Sequence, residues 1–329
     1  MSVLFTFPGQ GAQRPGMLHR LPDHPEAART LAETGEVLGI EPLQLDTPDA
    51  LASSMAVQLC LLMAGVAMAR TLAASGGRPD MVAGLSIGAY PAAVVAGALD
   101  YRDAVSLVAR RGKLMDEAYP HGYGMAAVIG LRLRQLESLI AQVHTRAKPV
   151  YLANLNAEQQ FVIAGADDAL LAVMELALAH GASKVERLAV SVPSHCELFD
   201  KAAASMRAAF ARIEVRRPRI AFLSSSAARL LSDPARIVED LAGNMSRQVH
   251  WADTVRLAWE RGARLAVEMP SGVVLTNLTT PVFREGHAVC CENTPIETIL
   301  TLIARAARAR IAAPQNKPYS WRSKHDYHL

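Results

Sequence analysis

The sequence is short of cysteine, aromatic residues and charge, and each shortage narrows what the chain can be. Its four cysteines (Cys60, Cys196, Cys290, Cys291) show no C-x-x-C spacing. The one close pair is adjacent, where neither a tetrahedral metal site nor a relaxed disulfide forms easily, so no metal is expected and a reducing compartment fits best. No G-K-[ST] phosphate loop occurs, and the single G-x-G-x-x-A match, Gly122 to Ala127, precedes a strand-like run instead of linking strand to helix. Neither ATP nor NAD is therefore expected. Charged residues make up only 20%, with 34 Lys+Arg against 31 Asp+Glu, and six of the cations (Arg305, Arg308, Arg310, Lys317, Arg322, Lys324) fall after residue 300 beside one acid, Asp326. The remainder is near neutral, which argues against a nucleic-acid groove. The longest apolar segment, Met55 to Ala69, contains Gln58 and reads as too short for a bilayer. The opening run Val3-Leu4-Phe5-Thr6-Phe7 resembles a strand more than a signal peptide, so a cytoplasmic protein with no membrane role is expected.

What is present is an ordinary globular composition, 51% hydrophobic over 329 residues. That suffices for one large or two moderate domains without staples. Short apolar runs alternate with helix-length patterns, the α/β signature. Strands are expected at Leu4 to Phe7, Met81 to Gly84, Ile220 to Leu223 and Arg264 to Val267, and helices at Pro25 to Leu38, Ala56 to Ala74 and from about Ile87. Asp103 reads as the N-cap of a further helix through Glu117. Between Met125 and Val190 the order becomes strand, helix, strand, strand, helix, strand, the ferredoxin-like βαββαβ unit. The expected organisation is a large α/β-hydrolase-like domain with a parallel sheet (1–124 and 191–313), an inserted ferredoxin-like subdomain (125–190), and a basic tail (314–329), with a ligand cleft between the lobes.

The sharpest motif is Gly84-Leu85-Ser86-Ile87-Gly88, a G-x-S-x-G between an expected strand and an expected helix. That context suits a strained turn that projects the Ser86 hydroxyl as a nucleophile. Such a serine needs a base. Of ten histidines, His195 in Ser191-Val192-Pro193-Ser194-His195-Cys196 is best placed, where the chain re-enters the large domain; a structural histidine there is an equally simple reading. His144 and His180 read as helix-end caps, and no Asp is obviously placed to orient His195, which leaves the task to a backbone carbonyl. Adjacent Arg110 and Arg111 must diverge by about 100° on a helix, so one can turn inward to meet a carboxylate, or both can sit on the surface.

Taken in order, Phe7-Pro8-Gly9-Gln10-Gly11-Ala12-Gln13, the elbow, Arg111-Gly112-Lys113, Asn154-Leu155-Asn156 through Gly165, Val192-Pro193-Ser194-His195 and Val274-Leu275-Thr276 resemble the malonyl-CoA:acyl carrier protein transacylase family over about residues 3 to 300. The resemblance implies that Ser86 takes malonyl from coenzyme A as an ester, with His195 as general base and acid. It also implies an oxyanion hole from the backbone N–H groups of Gln10 and Ile87, a carboxylate contact from Arg111, and an acyl pocket lined by Gln58, Met115, Asn156 and Ser194. Malonyl-CoA would be the donor, a carrier-protein thiol the acceptor, and no cofactor would stay bound.

Two departures bear on the acceptor. Leu85 stands where the family usually has histidine, and Ser246-Arg247-Gln248-Val249-His250-Trp251 replaces an Asn-Pro-Val segment whose neighbouring carbonyl orients the base. His250 in that segment makes a poor alternative base. With the Gly-Tyr-Gly-Met run at 122–125, these features look more like the branch serving malonate decarboxylase, its epsilon subunit. That subunit malonylates a dedicated carrier bearing a phosphoribosyl-dephospho-coenzyme A thiol. The alternatives are the transacylase of fatty acid synthesis and a serine hydrolase or thioesterase. An acidic carrier would favour cations at the cleft mouth, for which Arg132, Arg134 and Lys184 are candidates.

Overall fold

A computed structural model describes residues 1–119 and 121–312; the basic segment 314–329 lies outside the described residues. The strands described are β1 (Ser2–Phe7), β2 (Met81–Gly84), β3 (Tyr123–Ile129), β4 (Val150–Ala157), β5 (Gln160–Ala166), β6 (Lys184–Arg187), β7 (Ala221–Ser224), β8 (Arg229–Leu231), β9 (Ala263–Glu268) and β10 (His287–Cys290). Six form one sheet in the order β10-β9-β1-β2-β7-β8, parallel except for β8, which folds back antiparallel on β7. In β1 the side chains of Val3, Phe5 and Phe7 enter the larger apolar cluster, while Leu4 enters a second. Burial on both faces explains why this strand reads as a continuous apolar run.

Helix Ser54–Ala74 packs against helices Pro25–Leu38 and Tyr101–Ala118 and is apolar nearly all round. At 21 residues it is longer than the sequence suggested and passes the length and composition test for a membrane span, but 89% of its apolar window is buried inside the protein. It is the core helix of this layer, with each buried leucine or methionine contributing roughly 1.5–3 kcal/mol. The start of helix Tyr101–Ala118 also differs from expectation. Asp100, not Asp103, accepts the Arg102 N–H as cap, and Asp103 sits within the first turn.

The other four strands form an antiparallel sheet in the order β4-β5-β3-β6. Helices Leu133–Val143 and Asp167–Ala179 cover it around Leu136, Leu139, Phe161, Ile163, Leu170 and Val173. Strand and helix order is the expected βαββαβ, although β6 ends at Arg187, short of Val190. The small sheet is tied to the segment before helix Trp251–Glu260, where the Leu155 N–H donates to the Val249 carbonyl (2.8 Å) and the Val249 N–H to the Ala153 carbonyl (2.9 Å).

Gly112 sets how closely helix Tyr101–Ala118 approaches helix Ser54–Ala74, since a Cβ there would lie 2.3 Å from Met55 Cα. Gly112→Ala is expected to lower unfolding free energy by about 2 kcal/mol or more in urea titrations, whereas Lys113→Ala on the exposed face should change it by less than about 0.5 kcal/mol.

Candidate active site

Strand β2 runs through Leu85 into the short turn Ser86–Gly88 and then helix Ala89–Val95. Ser86 occupies the left-handed region, with φ 57°. Two glycines make the turn sterically feasible: a Cβ on Gly84 would fall 2.0 Å from the Gly88 carbonyl carbon, and one on Gly88 would fall 2.1 Å from the Phe7 carbonyl oxygen. The loop after β1 packs on the same turn, because a Cβ on Gly9 would meet the Leu85 carbonyl oxygen at 2.9 Å. A non-glycine residue held at positive φ costs about 1–3 kcal/mol and persists only where the surroundings impose it. Here the imposing contacts include Ser225 Oγ donating to the Gly84 carbonyl (2.7 Å) and Asn244 Nδ2 donating to the Ser86 carbonyl (3.1 Å).

His195 is likewise at positive φ, 68°, and its N–H donates to the Met245 carbonyl (2.7 Å). Its Nδ1 faces two carbonyl oxygens, Asn244 at 2.8 Å and Arg247 at 3.1 Å. Carbonyls only accept, so Nδ1 carries the hydrogen and Nε2 presents its lone pair. Nε2 lies 2.8 Å from Ser86 Oγ, which donates to it. Burial, and then the charge of Arg111, lower the imidazole pKa from 6.5 to about 4, against the opposing effect of the two carbonyl bonds. The ring is therefore neutral at pH 7 and able to accept the serine proton. The expectation of a carbonyl orienter holds, with a change of address: Arg247 belongs to the anticipated 246–251 segment, but the shorter bond comes from Asn244 just before it.

Of the two adjacent arginines, Arg110 is exposed and donates to Ser205 Oγ (2.9 Å), while Arg111 is fully buried. Arg111 Nη1 donates to Gln58 Oε1 (2.6 Å) and Met115 Sδ (3.3 Å), and Nη2 to Asn244 Oδ1 (3.1 Å) and Ser86 Oγ (3.2 Å). Every partner is neutral, and Nε has none among the described residues. Burial lowers the guanidinium pKa to about 10, which still leaves it charged at neutral pH. Gln58 continues the network, with Nε2 donating to Gln10 Oε1 (3.0 Å) and Met115 Sδ (3.2 Å). Ser86, His195, Arg111, Gln58, Met115 and Gln10 thus form one bonded cluster, with Ile87 buried in the elbow itself.

The remaining expected residues lie outside that network. Ser194 is buried beside His195, but its Oγ donates to Met125 Sδ (3.2 Å). Asn156 is buried on β4, and its Oδ1 has no partner among the described residues. The His250 N–H donates to the Ser225 carbonyl (2.7 Å), in keeping with a structural place. His144 and His180 both cap helix ends. Lys184 pairs with Glu186, and Arg134 lines a groove with Gln142 and His180 on the helical face of the small sheet. Val274-Leu275-Thr276 begins a helix whose first N–H groups are taken by buried Glu268, at 3.0 Å from Leu275 and 2.6 Å from Thr276. Asn244 is the residue that sequence reasoning missed. Its position, 49 residues after His195, carries no local signal beyond an asparagine that follows a helix.

An acyl transferase domain family matches residues 4–319. A malonyl CoA-acyl carrier protein transacylase of Haemophilus influenzae is 33% identical over 291 residues, covering 86% of this chain and 93% of that protein. The protein of that name from Escherichia coli K12 is 35% identical over 281 residues, 84% of this chain and 91% of its own. Among solved structures, the malonyl CoA-acyl carrier protein transacylase from Coxiella burnetii superposes with a TM-score of 0.88 at 33% identity, over 93% of this chain and 98% of that one. A malonyl-transacylase solved in complex with its type II PKS acyl-carrier protein gives 0.86 at 33% identity, over 93% and 100%.

Because His195 must be neutral to take the serine proton, labelling of Ser86 by a fluorophosphonate probe is expected to persist as pH falls through 6.5 and to titrate out with a midpoint near 4. Arg111→Gln removes the cation that opposes a second positive charge, so its midpoint should move upward. A wild-type midpoint at or above 6.5 would contradict the buried, arginine-flanked imidazole.

Proposed function

The chain belongs to the acyl transferase family, and from that premise we propose that this acyltransferase moves malonyl from coenzyme A to a carrier-protein thiol through an ester on Ser86. The observation that carries the reading is the buried guanidinium 3.2 Å from the Ser86 hydroxyl with only neutral partners, a place for an acyl group that brings its own carboxylate.

In the first half-reaction Ser86 Oγ attacks the thioester carbonyl while its proton passes to His195 Nε2. The N–H groups of Gln10 and Ile87 hold the oxyanion, and Arg111 holds the free carboxylate. Collapse breaks the carbon–sulfur bond, and the coenzyme A thiolate leaves with the proton from His195. The carrier thiol then gives its proton to the same nitrogen and attacks the ester, and Ser86 departs by taking that proton back. Gln58, Met115, Asn156 and Ser194 wall the acyl group. One nucleophile and one acyl site make the two halves sequential.

For the acceptor we propose the dedicated carrier subunit of malonate decarboxylase. Leu85 at the elbow, the run at 122–125 and the Ser246–Trp251 segment without Asn-Pro-Val support it. A second reading, the acyl carrier protein of fatty acid synthesis, is favoured by the names of the relatives, which are acyl carrier protein transacylases. A hydrolase or thioesterase shares Ser86 and His195 and differs in releasing the acyl group to water.

Intact-protein mass after brief exposure to malonyl-CoA should show one malonyl adduct in wild type and none in Ser86→Ala. The adduct should pass to the malonate decarboxylase carrier faster than to the fatty acid carrier, and the reverse order selects the second reading. Loss of the adduct to water before a carrier is added would replace the transferase with a hydrolase. Arg111→Ala is expected to slow malonylation by roughly 100-fold while sparing or improving acetylation from acetyl-CoA. Equal losses with both donors would remove Arg111 from carboxylate recognition.

A further inference from the structure

Asn244 touches all three functional groups of the cluster. Its backbone carbonyl accepts from His195 Nδ1 (2.8 Å), its Oδ1 accepts from Arg111 Nη2 (3.1 Å), and its Nδ2 donates to the Ser86 carbonyl (3.1 Å). Asn244 is 3% exposed, so these bonds are made away from bulk water. The amide can sit only one way round: a guanidinium has nothing but donors, so the oxygen must face Arg111, and the NH₂ is then left for the Ser86 carbonyl. Each half of the amide therefore has a distinct task. One half fixes the cation, and the other fixes the backbone of a serine at positive φ.

The chemistry of this partner matters as much as its shape. An aspartate has the same size and could accept the same bond from Arg111 Nη2. It would also neutralise the guanidinium from within the protein, in a site where desolvation makes an ion pair strong. The protein instead surrounds Arg111 with two amides, a thioether and a hydroxyl, from Gln58, Asn244, Met115 and Ser86. These bonds position the charge without cancelling it.

We propose that the Asn244 side chain is a positioning residue for acyl selectivity, holding Arg111 in place beside Ser86 and leaving its charge uncompensated, so that a substrate carboxylate is the anion the site takes. This rests on the reading of Arg111 as the seat of the malonyl carboxylate. It adds that selectivity depends on a residue that does not touch the substrate, and on that residue being an amide.

The test uses Asn244→Asp and Asn244→Ala in the full chain. Both leave the backbone carbonyl that orients His195. Rates of Ser86 acylation are measured by intact mass over a range of malonyl-CoA and acetyl-CoA concentrations, with thermal melts to establish folding. Both variants lose the Nδ2 bond to the Ser86 carbonyl, so a shared loss with both donors is expected; beyond it, the malonyl-to-acetyl ratio of kcat/KM is expected to fall about 20-fold in Asn244→Asp, mostly through KM for malonyl-CoA. For Asn244→Ala, which frees the guanidinium without neutralising it, a smaller fall in that ratio, of about 10-fold, is expected. A malonyl-to-acetyl ratio in the Asp variant within about 3-fold of wild type overturns the proposal, whether both donors are unaffected or both decline together. Should the Asp variant fail to fold, the same ratio in the Ala variant decides by the same limit. Failure of the underlying reading looks different: wild type itself would then show no preference for malonyl over acetyl.

Discussion

A guanidinium sealed in the interior with no carboxylate bonded to it among the described residues is the arrangement on which the rest of the site depends. Bringing such a cation out of water costs on the order of several kcal/mol, and hydrogen bonds to neutral groups recover only part of it. Burial first, and then this charge, depress the basicity of His195, which keeps that ring neutral and ready to accept a proton. Arg111 is therefore both a buried cation bonded only to neutral groups among the described residues and a charge that lowers the basicity of His195. Both properties need the cation close to Ser86, and closeness is secured by packing at Gly112 and by the bonds from Gln58 and Asn244.

The sheets divide the labour. The parallel strands β1 and β2 end in the Gln10 loop and the Ser86 elbow, so Gln10 and the Ser86 hydroxyl come from the carboxyl edge of the large sheet, where such folds present ligand sites. His195 arrives from the segment that follows the small sheet. Its orienters, Asn244 and Arg247, arrive from the turn after helix Pro234–Gly243. No carboxylate is required as third member, because two carbonyls fix the tautomer without adding a negative charge that Arg111 would seek.

Local chemistry was legible in the sequence wherever it was repeated or sterically extreme. Continuous apolar runs announced β1 and β2, the period change announced the βαββαβ unit, and two glycines around a serine announced the elbow. Helical geometry limited the inward arginine to one of two neighbours, and contacts with Gln58 and Asn244 show that it is Arg111. Edge strands β8 and β10 escaped because, at three and four residues, their apolar runs are too short to stand out from the surrounding sequence. Asp100 and Asp103 are both plausible caps by type, and only backbone geometry separates them. Asn244 was invisible for a deeper reason. Its role consists of contacts 49, 133 and 158 residues away in the chain, and no pattern within its own helix-turn segment encodes them.

The pairing of β1 with β9 carries a consequence for the order in which the protein can be made. Leu4 finds Met81 as a neighbour early, but its other neighbour is Ala266, beyond the whole small sheet. At roughly 5–20 residues per second of synthesis, the open side of β1 waits on the order of ten seconds for β9 to emerge. During that interval a flat apolar strand presents unpaired N–H and C=O groups, the template on which chains associate wrongly. The small sheet, whose strand pairings all lie within its own segment, can pair its strands while the larger one waits, and its bonds to Val249 follow later. The chain order thus allows the small sheet to pair its strands before the scaffold that holds it is closed.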